Sequence, residues 1–384
     1  MPMEKVKNIP VFKPLLRNNF EIHSAIKSLK EGWLGMGSYV DAFEKKIHKI
    51  IQNRNKAVVA VNTGFSAIHL ACILLNLKKG DEVILPSHNN IADFQCLILE
   101  GLKPVMCDVE KNTLCADPVS IKKLITKKTK AIIVIDYGPN IANHDEIQKI
   151  AKCFNIKIIH DASHSLGSFY KGKPIGSFSE ITTFSFDPVK TFTCIDGGAI
   201  IVNKGKNINK LREMRIMGTN QNTRILYSNS RLWTYDVKRI GYRYHLANVH
   251  AAIGMQQLNS IDIIKNSRVA TYNYYFNNLK NISQIYIPKL QKGVLPWICY
   301  ILVKNNLRSK MIKFLKKNGV DTGLHWKPNH LHTLIKKNKY RHDSLTNTNQ
   351  MYRELLTLPF HSCMKKSHEK KVVRVIKDFF LDGI

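Results

Sequence analysis

The chain has 384 residues, 44% of them apolar and 23% charged, a balance that excludes a disordered or fibrous polymer and allows a large domain, alone or with a small one, around a sizeable core. Its charge is strongly positive, with 59 Lys and Arg against 28 Asp and Glu, a net +31. The basic residues are spread along the whole chain, with short knots such as Lys336-Lys337 and no helix-turn-helix, zinc-finger or aromatic RNA-binding signature, so no specific nucleic-acid partner is expected and a small anionic substrate suits the charge at least as well.

In chain order, a proline-bearing entry (Pro10, Pro14) leads to a helix over Glu21–Lys30, the glycine-rich turn Gly32-Trp33-Leu34-Gly35-Met36-Gly37-Ser38 and a helix from Tyr39. Strands and helices then alternate. Ala57–Val61 reads as a strand and Ser66–Leu77 as a helix; Glu82–Leu85 is a strand stopped by Pro86, and Ile91–Glu100 a helix. Pro104–Cys107, Ala131–Ile135 and Ile156–Ile159 are strands, with helices over Pro118–Ile125 and Asp145–Cys153 between them. Continuous apolar strands of four to six residues between amphipathic helices predict an α/β fold with a mostly parallel, helix-covered sheet. After Val202 the residues from Gly205 to Tyr242 read as polar and irregular, Leu246–Leu258 as a helix, and a long helix from about Ile261 leads into a mixed α/β segment. This sets a boundary near 260, between a large domain (1–260) and a smaller C-terminal one (261–384). No run approaches the roughly 20 apolar residues of a membrane helix, the start lacks a secretory leader, and the eight cysteines form no Cys-x-x-Cys pair. A cytoplasmic protein with reduced thiols is expected.

Four places carry chemistry. Asn62-Thr63-Gly64-Phe65-Ser66 lies between a strand and a helix, where backbone amides at a helix N-terminus bind phosphate and a glycine permits close approach; an ordinary N-cap reads the same way. Asp161 follows the apolar run Ile156–Ile159, and Lys190 closes Ser185-Phe186-Asp187-Pro188-Val189-Lys190 before the strand Ala199–Val202. A desolvated lysine and a carboxylate meeting at strand ends are the pair that pyridoxal phosphate chemistry requires. His160 and His164 have the spacing of a zinc pair, but that spacing works on a helix and these follow a strand, so no metal is expected. The cluster His325-Trp326-Lys327-Pro328-Asn329-His330-Leu331-His332 suggests polar substrate contacts or loop structure.

The ordered set Gly32-Trp33, Thr63–Ala67, Asp161-Ala162-Ser163-His164, Ser185–Lys190, Gly197-Gly198 and Gly241–Leu246 resembles the DegT/DnrJ/EryC1/StrS group of pyridoxal-phosphate-dependent, fold-type I sugar aminotransferases, from about residue 10 to Leu358-Pro359-Phe360-His361. The resemblance implies that Lys190 bonds covalently to the cofactor and shuttles the proton, and that Asp161 pairs with the ring nitrogen. Gly64, Phe65, Ser66 and Ser185 would hold the phosphate, with His164 beside the ring and Asn90 where many members carry a stacking aromatic; His88 or Phe94 would then substitute. Gly241–Leu246 would reach into the partner's site of a homodimer, bringing Arg243 to the phosphate or substrate, and Trp33, His325 and His330 would meet substrate. The implied reaction moves the amino group of L-glutamate to a keto sugar attached to a nucleoside diphosphate. An inositol-type ketone is the alternative substrate, and a silent cofactor-binding regulator the alternative class. Lys190 argues against the members that carry His there and remove a hydroxyl.

Overall fold

An apolar strand buried on both faces must send alternate side chains into two cores, and β1 (Lys56–Val61) does so, with Val59 and Val61 in one and Val58 and Ala60 in the other. In the computed structural model, which describes residues 8–17, 19–221 and 223–382, this strand begins a seven-stranded sheet. The other elements of the large unit are β2 (Glu82–Pro86), β3 (Lys103–Cys107), β4 (Thr129–Ile135), β5 (Lys157–Asp161), a short hairpin of β6 (Phe169–Tyr170) and β7 (Lys173–Pro174), β8 (Ile181–Ser185) and β9 (Gly198–Asn203). The sheet order is β1-β9-β8-β5-β4-β2-β3. Six strands run one way; β9 alone is reversed, antiparallel to both β1 and β8. The carboxyl ends of the six therefore share one edge with the start of β9, the edge where open α/β sheets bind ligands.

Helices Gly64–Leu74 and Ile91–Leu99 cover one face, Ser38–Ile51 and Asn248–Asn259 part of the other. Two boundaries differ from expectation in ways that matter. β5 continues through His160 to Asp161, so both side chains are ladder residues rather than loop residues. The segment after Val202, expected to be irregular, contains the helix Lys206–Met214, whose polar sequence offers only Ile208, Leu211 and Met214 as an apolar stripe.

Ser260 separates the helix Asn248–Asn259 from the helix Ile261–Leu279, where a further core begins. That core is built on the antiparallel strands β10 (Ile285–Tyr286), β11 (Cys299–Val303) and β12 (Leu355–Leu358) and the closing helix Lys366–Asp382. Ile9, from the other end of the chain, bridges to Val320 and packs into the same core. Among the described residues no helix is long and apolar enough to cross a membrane.

One buried ion pair ties these layers. Arg215, fully enclosed, donates to Glu44 Oε1 (2.7 Å), to the Ala60 carbonyl (2.8 Å) and to the Tyr227 hydroxyl (3.1 Å), while Glu44 also accepts from the Ala60 amide and Tyr227. The backbone of Arg215 accepts from the Tyr244 amide (3.0 Å), so the pair anchors the Gly241–Leu246 segment as well. Removing one partner strands the other charge in the interior. Arg215→Leu should therefore lower unfolding free energy by about 3–5 kcal/mol, read by urea denaturation; a loss of under about 1 kcal/mol would show that Glu44 finds water or another partner.

Candidate active site

The strand ends converge on a cleft of about 670 Å³, lined among others by Thr63, Asn90, Asp161, Ser185, Lys190 and Trp326. Lys190 is placed by the turn that follows β8. Its amide donates to the Asp187 carbonyl (3.0 Å), Val189 N–H bonds Asp187 Oδ1 (2.9 Å), and the Val189 carbonyl accepts from the Trp297 indole (3.0 Å). The Lys190 amine rests over the Trp297 ring, 4.4 Å from its centroid. Burial pulls this amine down to about 8, against the opposing pull of Asp161, Asp187 and Asp93. A lysine so placed has a usable neutral fraction near neutral pH, as a nucleophile needs.

Asp161 ends β5 beside Thr183 of β8. Its Oδ1 accepts from the Ser163 hydroxyl (2.5 Å) and amide (3.1 Å) and, at 3.5 Å, from Thr183, which leaves Oδ2 for a ligand on the cleft side. Next to it lies a carboxyl that sequence reasoning passed over. Asp93 is wholly buried in the first turn of the helix Ile91–Leu99, takes a short hydrogen bond from the Asn89 amide group, and stands within hydrogen-bonding reach of Asp161. A lone carboxylate in the apolar stretch Ile91-Ala92-Asp93-Phe94 was the available signal. Burial pushes both carboxyls above their ordinary range, Asp93 well above it.

At the end of β1, Gly64 opens its helix against Ser185. A Cβ on Gly64 would lie 2.7 Å from the Ser185 side chain, so only glycine leaves the amides there open to an anion. Gly198 has the same requirement, since a Cβ would lie 2.2 Å from the Thr63 carbonyl. Gly64, Phe65 and Ser185 line the cleft. Ser66 does not: its amide is capped by Thr63 Oγ1 (2.9 Å) and its hydroxyl bonds Asn62 (2.7 Å), so the N-cap consumes the donors expected to face phosphate.

His164 is buried in a stack with Trp297, centroids 3.8 Å apart at 15°. Its Nδ1 lies 3.0 Å from the Asp136 carbonyl, which fixes the proton there and leaves Nε2 as the acceptor. Burial and Lys190 hold its pKa well below the usual value. Asn90 lines the cleft and caps the helix Ile91–Leu99 through the Ala92 amide (2.9 Å). Neither proposed substitute stacker is there, because Phe94 belongs to the core under the sheet and His88 packs on Tyr137 (4.5 Å). The aromatic wall comes instead from late in the chain, Trp326 in the lining and Trp297 beneath Lys190.

His325 touches Trp297 and Thr357 and is pushed down to about 4 by burial and Lys190. His330 is engaged elsewhere. Its nitrogens hold Ser87 Oγ (2.8 Å) and Asn349 Oδ1 (3.0 Å), clamping the loop after β2 rather than facing substrate. Trp33 and Arg243 stand apart from this cleft, together in a pocket of about 190 Å³ with Arg231, Trp233 and His245. His160 joins His144 on Asp136, at 2.8 and 3.0 Å, where Ser165 and the Ala142 amide also bond the carboxylate. This grouping satisfies itself by hydrogen bonds.

A sequence model described as the DegT/DnrJ/EryC1/StrS aminotransferase family matches residues 16–377. An uncharacterized protein of Methanocaldococcus jannaschii is 31% identical over 376 residues, 96% of this chain and 97% of that protein. The spore coat polysaccharide biosynthesis protein SpsC of Bacillus subtilis is 28% identical over 378 residues, 96% of each chain. Among solved structures, PseC of Helicobacter pylori, an aminotransferase involved in the biosynthesis of pseudoaminic acid, superposes with a TM-score of 0.89 at 22% identity, covering 98% of this chain and 100% of that one. A putative sugar aminotransferase of Streptococcus pneumoniae gives 0.89 at 24% identity, with the same coverage.

Proposed function

This chain belongs to the DegT/DnrJ/EryC1/StrS aminotransferase family and is a pyridoxal-phosphate-dependent aminotransferase, and we propose that it moves the amino group of L-glutamate to a keto sugar carried on a nucleoside diphosphate, in the cytoplasm, for the synthesis of a surface polysaccharide or glycan. The observation that carries this reading is the meeting of Lys190, Asp161 and the Gly64–Ser185 cradle in one cleft. The residues fit the cofactor: the cradle is shaped for an anion, Asp161 has an oxygen without a donor among the described residues, and the Lys190 amine is partly neutral. Bound pyridoxal phosphate supplies an electron sink for the carbon that loses its proton.

The chain's own groups do the rest. Amides at Gly64 and Phe65, with the Ser185 hydroxyl, bind the phosphate. Asp161 holds the proton at the ring nitrogen by charge-assisted bonding. Lys190 would hold the cofactor covalently, and its amine would serve as the base that moves the proton at the reacting carbon. His164 presents an acceptor nitrogen beside the ring, and Trp326 excludes water. The polysaccharide role of the Bacillus relative and the net charge of +31 support a phosphorylated sugar. A homodimer is supported by the exposed apolar residues Trp233 (86%) and Ile240 (85%), the first of which shares with Arg243 a pocket separate from the cleft of its own chain.

Adding L-glutamate to the holoenzyme should change the visible absorption of the bound cofactor, and a nucleotide-linked keto sugar should restore it. Restoration by an inositol-type ketone alone would move the substrate class. A spectrum indifferent to glutamate and to other amino donors would mark a binding protein without turnover.

A further inference from the structure

Asp161 is not the only carboxyl at the base of the cleft, and the second is more deeply buried than an acid without a cationic partner ordinarily is. Asp93 has no exposed surface. One of its oxygens is taken by Asn89, and the other has no donor among the described residues. Its neighbour in reach is Asp161, whose Oδ1 is already occupied by Ser163 and Thr183. Two ionised carboxylates facing each other away from water repel strongly, whereas one proton on Asp93 turns the contact into a hydrogen bond to Asp161 and gives the unpartnered Asp93 oxygen a role as donor.

We propose that Asp93 is the neutral member of a carboxyl–carboxylate pair, its O–H directed at Asp161, and that it acts as a positioning residue holding Asp161 as a single negative charge against the ring nitrogen of the cofactor. The inference rests on the assignment of Asp161 to that nitrogen. The surroundings of Asp93 favour the neutral form. The thiols facing it, Cys72 on the helix Gly64–Leu74 and Cys96 on its own helix, are themselves kept neutral by burial. The charges that act on it are Asp161, which disfavours ionisation, and Lys190, which favours it. Its place in the first turn of a helix also favours the anion, but that effect is small beside full desolvation. Burial accordingly drives the Asp93 carboxyl well above the usual range.

The arrangement has a consequence for chemistry. A neutral acid that donates to Asp161 spreads the charge of that carboxylate and fixes the plane of its free oxygen, so the proton on the ring nitrogen is held without a second charge in the cleft. Asp93→Asn keeps both hydrogen bonds, because its carbonyl can accept from Asn89 and its amide can donate to Asp161. Asp93→Leu has similar size and keeps neither.

The test compares wild type, Asp93→Asn, Asp93→Leu and Asp161→Asn. Infrared spectra of the apo proteins at neutral pH should show the C=O stretch of a protonated carboxyl in wild type, and Asp93→Asn should lose it. In the holoenzymes, cofactor affinity and the pH midpoint of the visible band should stay within about threefold and near the wild-type value for Asp93→Asn. Asp93→Leu should release the cofactor about tenfold or more readily and shift the midpoint, as expected for a lost bond to a charged group. The proposal is overturned if the infrared band is absent from wild type or survives in Asp93→Asn, or if Asn impairs the cofactor as much as Leu does. It is likewise overturned if a folded Leu variant behaves as wild type. Should Asp93→Leu fail to fold, the infrared result and Asp93→Asn still decide. An Asp161→Asn enzyme with unchanged affinity and spectrum refutes the ring-nitrogen assignment instead, and leaves the infrared result on Asp93 standing.

Discussion

On the proposed reading, Lys190→Ala should reduce transamination by at least about a thousandfold, since Lys190 would be both the covalent anchor and the group that moves the proton. After borohydride reduction and denaturation, the wild-type chain should retain the cofactor and the variant should release it. Folding should survive the change, because the Lys190 side chain lines the cleft, with its amine over the Trp297 face. The lost cation–π contact is worth about 0.5–2 kcal/mol, and removal of a buried cation offsets part of that. The same amine should report its environment by titration. Only the neutral form attacks a carbonyl, so capture of pyridoxal phosphate by the apo protein should accelerate as pH rises through about 8 rather than through the 10.5 of an ordinary lysine. Reduction that still fixes the cofactor in Lys190→Ala, at another lysine, would falsify the assignment.

The path from sequence to site was clearest where chemistry coincides with the end of an apolar run. Asp161 stood out because a charged residue that closes a buried strand has few structural reasons to be there, and Lys190 because it is presented alone in the turn beyond β8, after the proline stop. Gly64 was visible as a strand-to-helix glycine, but its partner Ser185 was tied to it only by a resemblance, and the 2.7 Å approach that demands the glycine is a tertiary fact. The reversal of β9 was not legible, since Ala199–Val202 reads the same in a parallel or antiparallel ladder. The aromatic wall was hidden for a similar reason. Trp297 and Trp326 lie far along the chain from Lys190, and nothing local to either connects it with that lysine, whose amine lies 4.4 and 6.0 Å from the two rings. Ser66 shows the opposite error: its amide was expected to hold the phosphate, while the capping role of Thr63 takes that N–H. Asp93 stands in the sequence as a single acid among apolar neighbours, and needed only to be weighed as a buried charge.

Mixing inactive Lys190→Ala with inactive Arg243→Ala should restore roughly a quarter of wild-type activity, provided that the subunits exchange. The reason is geometric. Within one chain Arg243 lines a pocket with Trp33, Arg231 and His245 that shares no lining residue with the cleft of Lys190. Its strand-like segment is held from behind by backbone bonds from Tyr242 to Met214 (2.6 Å) and from Tyr244 to Arg215 (3.0 Å). Arg243 is thus exposed on a backbone-anchored segment, in the same pocket as the exposed Trp233. In a two-fold dimer that reads as a group offered to the neighbour's site, where a guanidinium can bind phosphate bidentately. Random pairing makes about half the dimers mixed, and each mixed dimer has one site with both residues and one with neither. If Arg243 served its own cleft, every site in every mixed dimer would lack one of the two residues, and activity would stay at the level of the separate variants. Subunit exchange has to be demonstrated independently, by mass or by a fluorescent pair, and Arg243→Ala must itself be severely impaired. With both conditions met, an unrescued mixture places Arg243 in the site of its own chain.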